Sequence, residues 1–284
     1  MTTRERIENV LEAAHPAVNA AKARVVVFDF DGTLSLIRSG WMDVMVPMCI
    51  EQLVALNTGE SELQLRQTVE DFVWRLTGKE TIYQMMALAD AVRERGGRPL
   101  EPAAYKKLYL DRLWLKIHDR IEALRSGAVS PEQYLVPGAC ALLEGLRSRG
   151  LRLYLASGTD EENVREEAAL LGVAPFFEGR IFGAREDLTS FSKALLVQQI
   201  LNRTGGVHPE ELLVFGDGYV EIEEVKKAGG TAVGVATSEP ECLRVDEWKR
   251  ARLLRVGADF IVPNFLHLQE LFAALFAAPI SVSK

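Results

Sequence analysis

Val25, Val26, Val27 and Phe28 form an unbroken apolar run that ends abruptly at Asp29. A strand with one face in water alternates apolar and polar residues, so a run that is apolar at every position suits a parallel strand covered on both faces. The same unit recurs downstream. Residues 151–156 run into Ser157-Gly158-Thr159 and a helix that stops at Gly172. Residues 180–184 precede a helix over 192–203, residues 212–215 a helix over 222–228, residues 231–235 a charged helix, and residues 259–262 a last helix near 265–276. Strands alternating with helices of this length predict an α/β fold, a doubly wound parallel sheet of Rossmann-like type with right-handed crossovers. Ligands in such sheets bind beyond the carboxyl ends of the strands.

Between residues 41 and 130 the pattern changes to helical spacing. Val69, Phe72, Val73 and Leu76 make one stripe, and Leu110, Leu113, Trp114, Ile117 and Ile121 a second, with no β-branched runs between them. The expected organisation is therefore an α/β core domain from residues 1–40 and 131–284, interrupted by an all-helical domain over 41–130. The Pro- and Gly-containing stretch 127–138 is the return hinge.

A formal net charge of -7 disfavours nucleic acid and anionic lipid as partners, and no Lys/Arg run offsets it. Cys49, Cys140 and Cys242 are too few and too scattered for a disulfide framework or a metal-binding pair. The first residues carry Arg4, Glu5, Arg6 and Glu8 in place of the apolar stretch of a secretory signal, and no run reaches membrane-spanning length. The expectation is a cytoplasmic protein, monomer or homodimer.

The chemistry concentrates in Asp29-Phe30-Asp31-Gly32-Thr33-Leu34, where the first strand ends. Alternate residues Asp29 and Asp31 project toward one side, and Gly32 gives the chain freedom to turn and expose amides to an anion. An ordinary polar turn after a buried strand reads equally well from the hexapeptide alone, since Asp-Gly is a common turn dipeptide. The segment nevertheless resembles motif one of the haloacid dehalogenase superfamily, DxDGT, and the other motifs follow in order. Ser157 ends the next sheet strand, Lys193 matches the motif-three lysine, and Gly216-Asp217-Gly218 with Glu221 resembles the acidic fourth motif.

The resemblance implies a magnesium-dependent phosphatase, in the branch of phosphoglycolate phosphatase and β-phosphoglucomutase, whose helical insert is a C1-type cap. A carboxylate attacking a phosphate dianion meets like-charge repulsion, so a hard divalent cation between them is needed. On this reading Asp29 is the nucleophile and Asp31 the general acid and base. Asp29, Asp217 and the backbone carbonyl of Asp31 bind Mg2+ directly, and Glu221 acts through water. Thr33, Ser157 and the Gly158 amide hold phosphoryl oxygens, aided by the helix amino terminus after Ser157, and Lys193 offsets phosphoryl charge. The family commonly has Asp where Glu221 stands, and the extra methylene is expected to move the carboxylate inward or shift the metal slightly. Arg38 and Lys79 are candidates for substrate contact, although solvated surface charge is the simpler reading of both. The expected partner is a small phosphorylated metabolite. The alternatives are a sugar phosphomutase, a phosphonate hydrolase using Lys79, and a non-catalytic binding protein on the same scaffold.

Overall fold

The computed structural model describes residues 5–7, 10–15, 17–185, 192–203 and 207–276. In chain order its elements are β1 (Glu5–Ile7), β2 (Leu11–Ala13), β3 (Val25–Phe28), then four helices, α1 (Met42–Val54), α2 (Glu62–Leu76), α3 (Thr81–Glu94) and α4 (Pro102–Arg125). After these come α5 (Ala139–Ser148), β4 (Arg152–Asp160), α6 (Glu161–Leu170), β5 (Ile181–Ala184), α7 (Lys193–Arg203) and β6 (Leu212–Gly216). The chain continues through α8 (Tyr219–Ala228), β7 (Thr231–Val235), α9 (Glu247–Arg255), β8 (Phe260–Val262) and α10 (Leu268–Phe276).

One eight-stranded sheet runs in the order β1-β2-β8-β7-β6-β3-β4-β5. Every pairing from β8 to β5 is parallel, and β1 and β2 add an antiparallel edge. β3 lies inside the sheet, third from the β5 edge, with Phe28 in register with Phe215 of β6 and Leu155 of β4. Its apolar run has a direct cause: Val26 and Phe28 join the larger core on one face of the sheet, whereas Val25 and Val27 join a second core on the other. On the first face Phe28 stacks on Phe215 at 4.9 Å and meets Phe177 edge-on at 6.2 Å.

The helices α1–α4 are inserted between β3 and β4, and their stripes bury as the spacing predicts. Val69, Phe72 and Val73 of α2 and Leu113, Ile117 and Ile121 of α4 are all buried, although Trp114 stays half-exposed. Ser61 caps α2, with Gln64 completing a reciprocal capping box. Several contacts fasten the insert to the core. Arg120 donates to the carbonyls of Ile37 and Ser39 at 2.7 and 3.0 Å, Lys106 pairs with Asp160, and Trp74 packs on Trp248 of α9 at 4.0 Å between ring centroids. No helix among the described residues is long and apolar enough to cross a membrane.

Two departures from the sequence expectations bear on the site. β4 does not end at Ala156 but continues through Ser157-Gly158-Thr159 to Asp160, with a register break before Asp160 pairs with Ala184. The following helix starts only at Glu161, so its amino terminus lies four residues beyond Ser157 and not directly after it. β1 and β2 were not anticipated at all, because three residues carry too little pattern to signal a strand.

Candidate active site

Asp29 leaves β3 at the carboxyl edge of the sheet, where its N–H donates to the Phe215 carbonyl at 2.9 Å. The chain then folds tightly: the Phe30 carbonyl accepts from the N–H groups of Thr33, Leu34 and Ser35, while the Phe30 and Leu34 side chains are wholly buried beneath. Gly32 sits at φ +75, and a Cβ there would lie 2.3 Å from Asp217 Oδ2. Glycine is required on both counts, backbone and space.

Lys193, at the start of α7, reaches the same point. Its Nζ donates to Asp29 Oδ1 at 2.8 Å and to Glu221 Oε2 at 2.9 Å, and all three side chains are buried. The other oxygen of Glu221, Oε1, accepts from the Gly218 N–H at 2.8 Å. The longer glutamate side chain fits because its neighbours are glycines. A Cβ at Gly216 would lie 2.2 Å from Glu221 Oε1, and one at Gly218 would lie 2.8 Å away. Burial opposes the charge of Lys193, but Asp29 and then Glu221 outweigh it and hold its pKa above the ordinary lysine value. For Asp29 burial raises the carboxyl pKa, Lys193 draws it back, and Glu221 and Asp217 add to the rise. Replacing Lys193 by Met leaves two buried carboxylates without their cation, so we expect a stability loss of about 3–5 kcal/mol, read by urea unfolding of the metal-free protein. A loss under about 1 kcal/mol would show that the ion triad contributes nothing net.

Asp217 and Asp31 flank this triad. The Asp217 N–H donates to Thr33 Oγ1 at 2.9 Å, and its carboxylate pairs with Lys249 at 2.9 Å. Lys249 also donates to Glu239 at 2.8 Å, and these two acids more than offset burial to keep its pKa high. Asp31 Oδ2 accepts from Ser157 Oγ at 3.2 Å and from Thr159 Oγ1 at 2.9 Å, whereas Oδ1 is buried without a hydrogen-bond partner. Burial raises the Asp31 pKa, against the opposing pull of Arg38 and the two hydroxyls. Arg38 Nε stands 4.0 Å from Asp31 Oδ1, but its guanidinium is held by Glu167 of α6, through Nη2 at 2.6 Å and Nε at 3.0 Å.

Asp29, Asp31, Arg38, Lys79, Ser157, Gly158, Lys193 and Asp217 line one cavity of about 100 Å3, whose far wall is Trp41, Met45, Gln84 and Tyr109 of the insert. Two sequence candidates lie behind it instead. Thr33 is wholly buried, its hydroxyl engaged by Asp217, and Glu221 is 1% exposed with both oxygens taken by protein donors. Lys79 lies over the Tyr83 ring at 5.6 Å. Thr159, Glu167, Glu239 and Lys249 were missed. The extended chain after Ala156 signals Thr159, since residues 157 and 159 share a face of a strand. The other three come from remote helices and loops and leave no local signature.

Carboxylate oxygens of Asp29, Asp217 and Glu221 lie within 4.8 Å of one another. Oxygen donors at that spacing, with an orphaned Asp31 oxygen alongside, fit a hard divalent cation.

Solved structures share this architecture at low identity. A predicted phosphoglycolate phosphatase from Haemophilus somnus aligns with TM-score 0.57 and 16% identity over 88% of this chain and 98% of that one. A putative β-phosphoglucomutase from Bacteroides vulgatus gives 0.55 and 16% over 92% of each. A haloacid dehalogenase-like protein from Streptococcus pneumoniae gives 0.53 and 18% over 88% and 99%. No curated protein sequence matches the chain. The family model for haloacid dehalogenase-like hydrolases, however, matches residues 23–229, which span Asp29, Asp31, Ser157, Lys193, Asp217 and Glu221, and the chain belongs to that family.

Proposed function

We propose that the protein is a magnesium-dependent phosphatase that hydrolyses a small phosphorylated metabolite in the cytoplasm, as a monomer or homodimer, through an aspartyl-phosphate on Asp29. The observation that carries this reading is the meeting of Asp29, Asp31, Lys193 and Asp217 in one cavity walled on its far side by residues of the insert. The 41–130 insert then acts as a C1-type cap on a core of residues 1–40 and 131–284, and a cavity of about 100 Å3 favours a small leaving group.

Asp29 and Asp217, with the Asp31 backbone carbonyl, would hold Mg2+, and Glu221 acts through water because Lys193 and Gly218 already occupy its oxygens. The ion, when bound, neutralises charge between nucleophile and phosphate. Asp29 attacks phosphorus and the bond to the leaving oxygen breaks, while Asp31 gives that oxygen a proton. Asp31 then takes a proton from the water that opens the aspartyl-phosphate. Ser157, Thr159 and the Gly158 amide orient Asp31 and the phosphoryl oxygens, and Lys193 offsets their negative charge in the transition state. Thr33 serves by anchoring the Asp217 loop. Arg38, clamped by Glu167, tunes Asp31 and walls the leaving-group side.

A phosphate-release screen over small phosphate esters tests the reading. Isomerised sugar phosphate without free phosphate would make the enzyme a mutase, and silence across the panel would leave a binding protein. Asp31→Asn is expected to lower kcat by about 10²–10⁴-fold with little change in KM. The first step needs protonated Asp31, so wild-type activity falls as pH rises through its raised pKa, and the variant loses that alkaline limb. An unchanged kcat and pH profile would assign the proton to another group.

A further inference from the structure

Lys249 belongs to none of the four motifs, yet it touches one of the proposed magnesium ligands. Its Nζ lies 2.9 Å from Asp217 Oδ2 and 2.8 Å from Glu239 Oε1, with side chains 16%, 15% and 20% exposed. Lys193 is engaged by Asp29 and Glu221, so among the described residues Lys249 is the cation paired with Asp217. The contact is built into the frame. Asp217 follows β6, Glu239 follows β7, and α9 sets Lys249 between them while its neighbour Trp248 packs on Trp74 of the insert at 4.0 Å. Asp246 fixes the start of that helix by accepting from the N–H groups of Trp248 and Lys249, both at 2.9 Å.

We propose that Lys249 is a positioning residue, a resident counter-cation that holds the Asp217 carboxylate before magnesium arrives and lowers the site's affinity for the ion. The inference rests on the metal reading above. Lys249 occupies one oxygen of Asp217, so the carboxylate is oriented without the ion, but its fixed positive charge repels the incoming dication. Glu239 moderates that repulsion by sharing the ammonium. The two residues therefore have opposite effects on metal binding, which a purely structural role for the cluster does not produce.

The test is calorimetric titration of Mg2+ into metal-free wild type, Lys249→Met and Glu239→Gln, with thermal unfolding of each in EDTA and in Mg2+. Lys249→Met is expected to bind Mg2+ about tenfold more tightly, because a like charge near the ion is gone. It should melt lower than wild type in EDTA and gain more in Tm from Mg2+. Glu239→Gln is expected to bind about threefold to tenfold more weakly, because Lys249 then rests on Asp217 alone. Should Lys249→Met fail to fold, Lys249→Gln and the Glu239 variant still decide the sign. Unchanged or weaker binding in the Lys249 variants, or shifts of the same sign in both, overturns the assignment while the metal reading stands. Absence of Mg2+ binding by wild type itself defeats both.

Discussion

Replacing Asp29 by Asn is expected to reduce phosphate release by about 10⁴-fold or more, to a level set by binding and charge stabilisation alone. The substitution keeps the shape of the side chain at a site that is 5% exposed, so the loss cannot be blamed on a cavity. What changes is chemistry. An amide oxygen is a poor nucleophile toward phosphorus, and it is the atom that accepts from the Lys193 ammonium, which now donates to Asp29 Oδ1 at 2.8 Å. Folding should survive, because Lys193 keeps Glu221 as a buried partner at 2.9 Å. The decisive measurement pairs initial rates with mass spectrometry of acid-quenched enzyme. Wild type should carry a phosphoryl adduct on the peptide containing Asp29, and the variant none. More than a tenth of wild-type activity in a folded Asn variant would place the nucleophile elsewhere.

Much of this site was legible because its parts sit where strands end. The run from Val25 to Phe28 announced a doubly covered strand, and the two sheet faces indeed take alternate residues of it. Asp29, Ser157 and Asp217 each follow such a run, and Lys193 opens a helix that returns to the same edge. Helical spacing also identified the buried stripes of α2 and α4. The sequence pattern failed where long-range pairing decides. Ser157 looked like the end of its strand, but pairing of Asp160 with Ala184 keeps the chain extended and brings Thr159 onto Asp31. Thr33 looked free to hold phosphate, yet its hydroxyl meets the Asp217 N–H across 184 positions of sequence. Arg38 read as a solvated charge, and only the fold reveals Glu167, 129 positions away, as the reason it is buried. The residue departing from the family pattern, Glu221, is explained by the glycines at 216 and 218 that leave space for its extra methylene.

Withdrawing divalent cations is expected to stop turnover almost completely, by about 10³-fold or more, because the charge balance of the site admits no other way to receive a phosphate dianion. Asp29, Asp31, Asp217, Glu221 and Glu239 gather around two ammonium groups, Lys193 and Lys249, each already shared between two carboxylates. Arg38 adds nothing net, since Glu167 grips it through two nitrogens. Even with Asp31 protonated, acids outnumber lysines by two to one, and a substrate bearing two further negative charges is repelled. Assays in EDTA followed by repletion distinguish this from general damage. Mg2+ should restore the rate and Na+ should not, while Ca2+, which prefers more ligands at longer distances, should restore little. The ion should also raise Tm, by about 2.7 kcal/mol of added stability at a hundred times its Kd. Full activity in EDTA, or equal recovery with Na+, would mean that the carboxylates of Asp29, Asp217 and Glu221 meet for some purpose other than holding a dication.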